Sequence, residues 1–184
     1  EALNANNLYV LVYRGEWHLS QNNLVSAERN FQKALDTNTS FIPAYQGMTR
    51  YYRTNKDLKR AKDTALHATE IDPNNSETYF LIAQLLSDAE HPDKALAYAI
   101  QSEQLDFGRN PARNYFMARQ YEKLGQSEQA LNYYQDVAKD APGHTETLLK
   151  MATLYERNGN ASESLHYYQK AIAQKPELLG EMLN

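Results

Sequence analysis

Five histidines, twenty-three carboxylates and no cysteine are the material available for chemistry in this 184-residue chain. His18, His67, His91, His144 and His166 include no pair three or four residues apart, the spacing at which one helix face offers two imidazoles to a metal ion. They read as surface or helix-end residues. Catalysis needs a nucleophile, a base or a metal cluster brought together, and the acidic residues are instead scattered along polar helix faces. No phosphate loop, dinucleotide fingerprint or nucleophile elbow occurs, and the glycines stand singly as turn residues. Lack of cysteine removes thiol nucleophiles, disulfides and thiolate zinc sites. The sequence therefore predicts no catalytic residue, no metal site and no cofactor. One basic cluster, Lys56, Lys59, Arg60 and Lys62, raises the question of nucleic acid. Asp57 and Asp63 interrupt it and no aromatic platform adjoins it, so an outer helix face laced by ion pairs is the expectation.

With 42% hydrophobic and 23% charged residues the composition is that of an ordinary globular protein. A net charge of -4 and a pI near 5.7 speak against nucleic acid or an anionic membrane as the main partner, because both need a clustered positive field. No apolar run reaches the roughly 18 residues of a membrane-spanning helix, so no membrane insertion is expected. The compartment stays open between the cytoplasm and, after loss of a leader, the periplasm or cell envelope.

The elements that must position any site are written in a repeat. Small residues recur at Ala27, Ala61, Ala95, Ala130 and Ser164, with spacings of 34, 34, 35 and 34. Gly15, Thr49, Ala83, Ala118 and Ala152 lie twelve positions earlier, and Ala34, Ala68, Ser102, Val137 and Ala171 seven later. Pro73, Pro142 and Pro176 each follow the end of a periodic segment, where proline's missing amide and its clash with the preceding turn stop a helix. Apolar positions fall at helical intervals, as in Tyr79, Ile82 and Leu86, so each half-unit reads as one amphipathic helix. First helices are predicted over 8–20, 42–54, 76–88, 111–123 and 145–157. Second helices are predicted over 24–36, 58–71, 92–105, 127–140 and 161–174. Gly125 and Gly159 suit a left-handed turn, and Pro92 and Pro111 suit a first helical turn.

This pattern resembles the tetratricopeptide repeat family, whose unit is an antiparallel helix pair of 34 residues. Gly125, Ala130, Tyr134, Pro142, Gly159, Tyr168, Ala171 and Pro176 carry the match best. In the second and third units Ala65 and Ala99 stand where an aromatic is expected, and Tyr45, Tyr79 or Tyr98 are expected to supply the missing volume. The resemblance implies an all-α, right-handed α-solenoid. It divides residues 1–184, as one array, into repeats at 8–41, 42–75, 76–109, 111–144 and 145–178. Residues 1–7 and 179–184 read as remnants of flanking repeats, or as caps, with Leu178, Leu179, Met182 and Leu183 able to serve as a terminal cap.

In the family, first helices line a concave face and fixed repeat positions point into it. Carried over, these give a partner-binding set of Tyr9, Gln46, Arg50, Arg53, Phe80, Gln84, Tyr115, Arg119 and Arg157. Val12, Glu16, Glu77, Asp88, Glu122 and Glu146 fall on the same face. Exposed Phe80 and Tyr115 beside arginines would offer apolar anchors with planar donors. The opposing expectation is that the rings pack between first helices and the arginines pair with Glu77, Asp88 or Glu122. Val12, Leu81, Phe116 and Glu146 stand where the carboxylate clamp of chaperone-binding members would be, so that clamp is absent. The resulting expectation is a non-catalytic scaffold that binds a partner peptide or helix of another protein. Its alternatives are a spacer or homo-oligomer built through the terminal repeats, and a regulatory arm of a larger enzyme. By analogy with the family, a bacterial assembly or secretion complex is a fitting context.

Overall fold

A computed structural model describes residues 2–106, 108, 110–178 and 180. Among them the chain is helical, with ten helices and no strand: α1 (Ala2–Ser20), α2 (Leu24–Thr37), α3 (Ile42–Thr54), α4 (Leu58–Ile71), α5 (Ser76–Asp88), α6 (Pro92–Leu105), α7 (Pro111–Lys123), α8 (Ser127–Asp140), α9 (Thr145–Arg157) and α10 (Ala161–Gln174). Each first helix packs on its own second helix to form an antiparallel pair, the unit of an α-solenoid. Two compact units result, Glu1–Phe107 and Gly108–Asn184. Apart from α1, which begins at Ala2, and α2, which runs to Thr37, every helix has the bounds that periodicity predicts.

The turns within pairs share one device. Asn22, Lys56, Glu90, Gly125 and Gly159 occupy the same repeat position, and all have positive φ, between 56° and 75°. Only the two glycines adopt that conformation without a Cβ penalty. The next residue caps the second helix in three repeats, where Asn23, Asp57 and Asn160 accept the amide three residues on. Pro92 and Pro111 sit in first turns, where no amide is needed. Between pairs the connection is four residues long, but five at 106–110, which absorbs the 35-residue spacing.

In the first unit the core is organised around Phe31, fully buried between α1 and α3. A Cβ built on Gly15 or on Gly47 would lie 2.4 or 2.3 Å from its ring, so the ring fills the space both glycines leave. Phe31 occupies the twenty-fourth repeat position and Gly47 the sixth. One repeat later those positions hold Ala65 and Leu81, both buried, so large and small have exchanged. Of the tyrosines expected to supply volume there, Tyr45 packs edge-on to His67 and Tyr79 stacks on Tyr98. In the second unit the same position carries tyrosines whose hydroxyls donate twelve residues back, Tyr134 to Glu122 at 3.0 Å and Tyr168 to Glu156 at 3.1 Å. Burial, then the Glu122 charge, pushes the Tyr134 phenol well above its ordinary value, so it remains a donor.

At the end of the second unit Leu178 is buried in a cluster with Leu148 and Ala171. Leu179, Met182 and Leu183, expected to complete a cap, lie outside the described residues.

Candidate functional site

The predicted face is built by first helices, which neighbour one another in the first unit as α1, α3 and α5. Residues of neighbouring repeats meet there, and polar ones form a ladder. Arg50 on α3 donates through Nη1 to Glu16 on α1 at 2.9 Å and through Nη2 to Glu77 on α5 at 2.7 Å. Arg53 donates to both carboxylate oxygens of Asp88, at 2.5 and 3.2 Å, and to Gln84 Oε1 at 2.7 Å. Gln46 Nε2 donates to Asn75 Oδ1 at 2.9 Å and to Thr78 Oγ1 at 3.3 Å. The guanidinium side chains remain about a third exposed, so each pair adds modest stability while holding its planar donors in one orientation. Tyr9 is 46% exposed and sets its ring edge-on to Phe41 at 5.0 Å.

Phe80 corrects an expectation. It is 8% exposed on α5, as Val12 is 7% exposed on α1, so neither offers an open anchor. A phenyl ring has no polar end to hold in water, and burying it is favourable.

In the second unit Arg119 on α7 is exposed and forms no ion pair among the described residues. Glu122, one turn on, receives Tyr134, Lys150 Nζ at 3.3 Å and, more distantly, Arg157 at 3.9 Å. Tyr115 is half-buried against Tyr134 and edge-on to His144. Burial, then the Glu146 carboxylate, raises its pKa, so it stays a neutral phenol.

Elsewhere the chemistry is structural. His144 caps α9 by accepting the Thr147 amide at 3.3 Å, and His67 bonds Glu70. In the basic cluster Asp57 binds both the amide and the guanidinium of Arg60, which lies over the Tyr52 ring at 5.0 Å. Among the described residues no three His, Asp or Glu side chains could hold a metal ion, and no helix is long and apolar enough to cross a membrane. A cleft of about 480 Å³ between α8 and α10, walled by Lys139, Pro142, Leu148 and Tyr167, contains none of the predicted partner-binding residues.

Three family models described as tetratricopeptide repeat match residues 42–75, 64–97, 117–144 and 146–177. The chain belongs to the tetratricopeptide repeat family. Among solved structures this tetratricopeptide repeat protein is similar to "Crystal structure of MamA protein", at 15% identity over 94% of each chain with a TM-score of 0.75. It is also similar to "Crystal structure of YrrB: a TPR protein with an unusual peptide-binding site", at 23% identity, over 91% of this chain and 86% of that one, with a TM-score of 0.72. A second MamA structure gives 16% identity, 90% and 96% coverage and a TM-score of 0.77. No curated protein sequence matches. Likeness at these identities speaks for the fold, and tetratricopeptide repeat proteins are in general non-catalytic interaction modules.

Proposed function

We propose that the chain is a protein-interaction scaffold whose first-helix faces hold an extended or helical segment of a partner, with the five repeats acting as one array. The observation that carries this reading is the ladder on α1, α3 and α5. Arg50 and Arg53 are fixed by acids of neighbouring repeats while their side chains stay about a third exposed. Donors oriented beforehand lose less rotamer entropy when they meet a peptide carbonyl or carboxylate. Gln46, Gln84 and Tyr9 extend that strip in the first unit, and Tyr115, Arg119 and Arg157 form the corresponding strip in the second. Arg119, exposed and without an ion pair among the described residues, presents its guanidinium to a partner.

A peptide array probed with wild type, Arg50→Glu and Arg119→Glu tests the proposal. Selected peptides should bind each variant at least tenfold more weakly while circular dichroism stays unchanged. Equal binding by both folded variants refutes it.

A further inference from the structure

The cleft of about 480 Å³ between α8 and α10 is in the size range of ligand sites, and its walls all belong to the second unit. Ala138 and Lys139 come from α8, Leu148 from α9, Tyr167 and Lys170 from α10, and Pro142 from the connection between α8 and α9. The first unit shows what the corresponding space ordinarily contains. Between α2 and α4, Tyr45 sets its ring edge-on to His67 at 5.2 Å and donates its hydroxyl to the Thr39 carbonyl at 2.8 Å. His67 and Thr39 are the counterparts of Lys170 and Pro142. Between α4 and α6, Tyr79 stacks at 6.3 Å on Tyr98, the counterpart of Tyr167. Both rings come from the fourth repeat position, so each junction supplies its own and a flanking repeat is not what fills this space. In the fifth repeat the fourth position is Leu148, 3% exposed and clustered with Ala171 and Leu178. The place of the ring is left open.

Charge changes together with volume. The twenty-sixth and twenty-ninth positions lining this space are His67 and Asp36 in the first junction, Gln101 and Glu70 in the second, and Lys170 and Lys139 here. Both lysines are exposed. Lys139 pairs with Asp136 at 2.8 Å, a carboxylate that is no part of the wall. Lys170 has no carboxylate partner among the described residues, and its ammonium lies 5.3 Å from the centre of the Tyr167 ring. That ring is fixed in turn, stacked on Tyr155 at 5.5 Å with 5° between the planes.

We propose that the cleft is a second peptide site, on second helices rather than first, and that it takes the tyrosine or phenylalanine of an extended acidic segment of a partner. The partner's ring occupies the place that Tyr45 and Tyr79 fill from within, buried against Ala138, Pro142 and Leu148. Carboxylates beside that ring meet Lys170 and Lys139, where the other junctions carry Asp36 or Glu70 and would repel them. Because the lysines are exposed, they contribute choice of partner and salt dependence more than affinity.

A short fluorescein-labelled peptide with one tyrosine between glutamates is titrated with the chain and followed by anisotropy. Saturable binding is expected, at least tenfold weaker for Lys170→Glu and for Leu148→Tyr, which restores the ring that the earlier junctions have. Lys170 is exposed, so its variant retains the fold and decides the matter even if circular dichroism finds Leu148→Tyr unfolded. Arg50→Glu and Arg119→Glu, which test the first-helix face, should leave this binding unchanged. Unlabelled peptides with alanine for the tyrosine, or lysine for the glutamates, should fail to compete. No binding, or binding indifferent to Lys170→Glu, overturns the proposal. Loss with Arg119→Glu instead also overturns it and moves the peptide to the first helices. Equal competition by N-acetyltyrosine overturns it too, and makes a free aromatic acid the ligand.

Discussion

Adding one methyl group at Gly47 tests how tightly the first unit is packed. The new Cβ would lie 2.3, 2.5 and 2.8 Å from Cε1, Cδ1 and Cζ of Phe31, against an ordinary contact of about 3.5–4.0 Å. The ring must retreat by about 1 Å, and its way back is closed, since the position of a Cβ on Gly15 is only 2.4 Å from it. Two effects oppose each other. Alanine favours a helix over glycine by about 1 kcal/mol, whereas forcing an extra carbon into a filled core costs about 1–3 kcal/mol. With the ring held on both sides the second effect wins, and Gly47→Ala should destabilise by about 1–2 kcal/mol. Phe31→Ala should cost about 3–5 kcal/mol through the cavity it opens. The double variant Phe31→Ala with Gly47→Leu recreates the buried pair Ala65 and Leu81, so it should be more stable than Phe31→Ala alone by about 1–3 kcal/mol. Urea unfolding followed by Trp17 fluorescence, which reports on the same unit, measures all three. A Gly47→Ala chain as stable as wild type, or Gly47→Leu failing to rescue Phe31→Ala, refutes the wedge.

Lys56→Gly and Glu90→Gly should each raise stability by about 0.5–1 kcal/mol, since both residues hold a positive φ of 60° and 57° that glycine adopts freely; thermal melts decide it. The reverse change, Gly125→Ala, should lower stability by about 1–2 kcal/mol although nothing lies within 4 Å of its Cβ position, which isolates the backbone effect. Asp57 is held below its ordinary value of 3.8, first by the Arg60 amide and then by the Arg60 guanidinium. Its folded state binds the proton less tightly, so its contribution is full above 3.8 and is lost as pH falls through the lower folded value. Asp57→Asn keeps a capping oxygen and removes that titration, and acid unfolding curves below 3.8 should flatten. Tyr134→Phe should cost about 1 kcal/mol in urea melts, because it removes the buried hydroxyl's bond to Glu122.

The helices were legible because repeat spacing, proline and turn chemistry agree at each boundary. The start of α1 was not, since asparagines in "LNANN" favour caps over helix interiors and masked its first turns. Within the site, a repeat position identifies the face a side chain leaves from. It does not say whether a ring then lies down, which is why Phe80 is open to both readings in the sequence and is buried in the structure. The acids beside Arg50 and Arg53 stand in neighbouring repeats, and the pairing of those arginines with Glu77 and Asp88 is what the structure shows. Two signals were missed although both were readable. Gly47 is the small residue that answers Phe31, and Leu148 stands where the second and third repeats have Tyr45 and Tyr79.

Within each unit, tertiary contacts join helices that are adjacent, or next but one, along the chain. Such a molecule never waits for distant segments to find each other, and the loop-closure penalty that slows sheet proteins hardly arises. As synthesis proceeds, each pair that follows another within a unit meets a template already in place, so shape is acquired progressively within that unit.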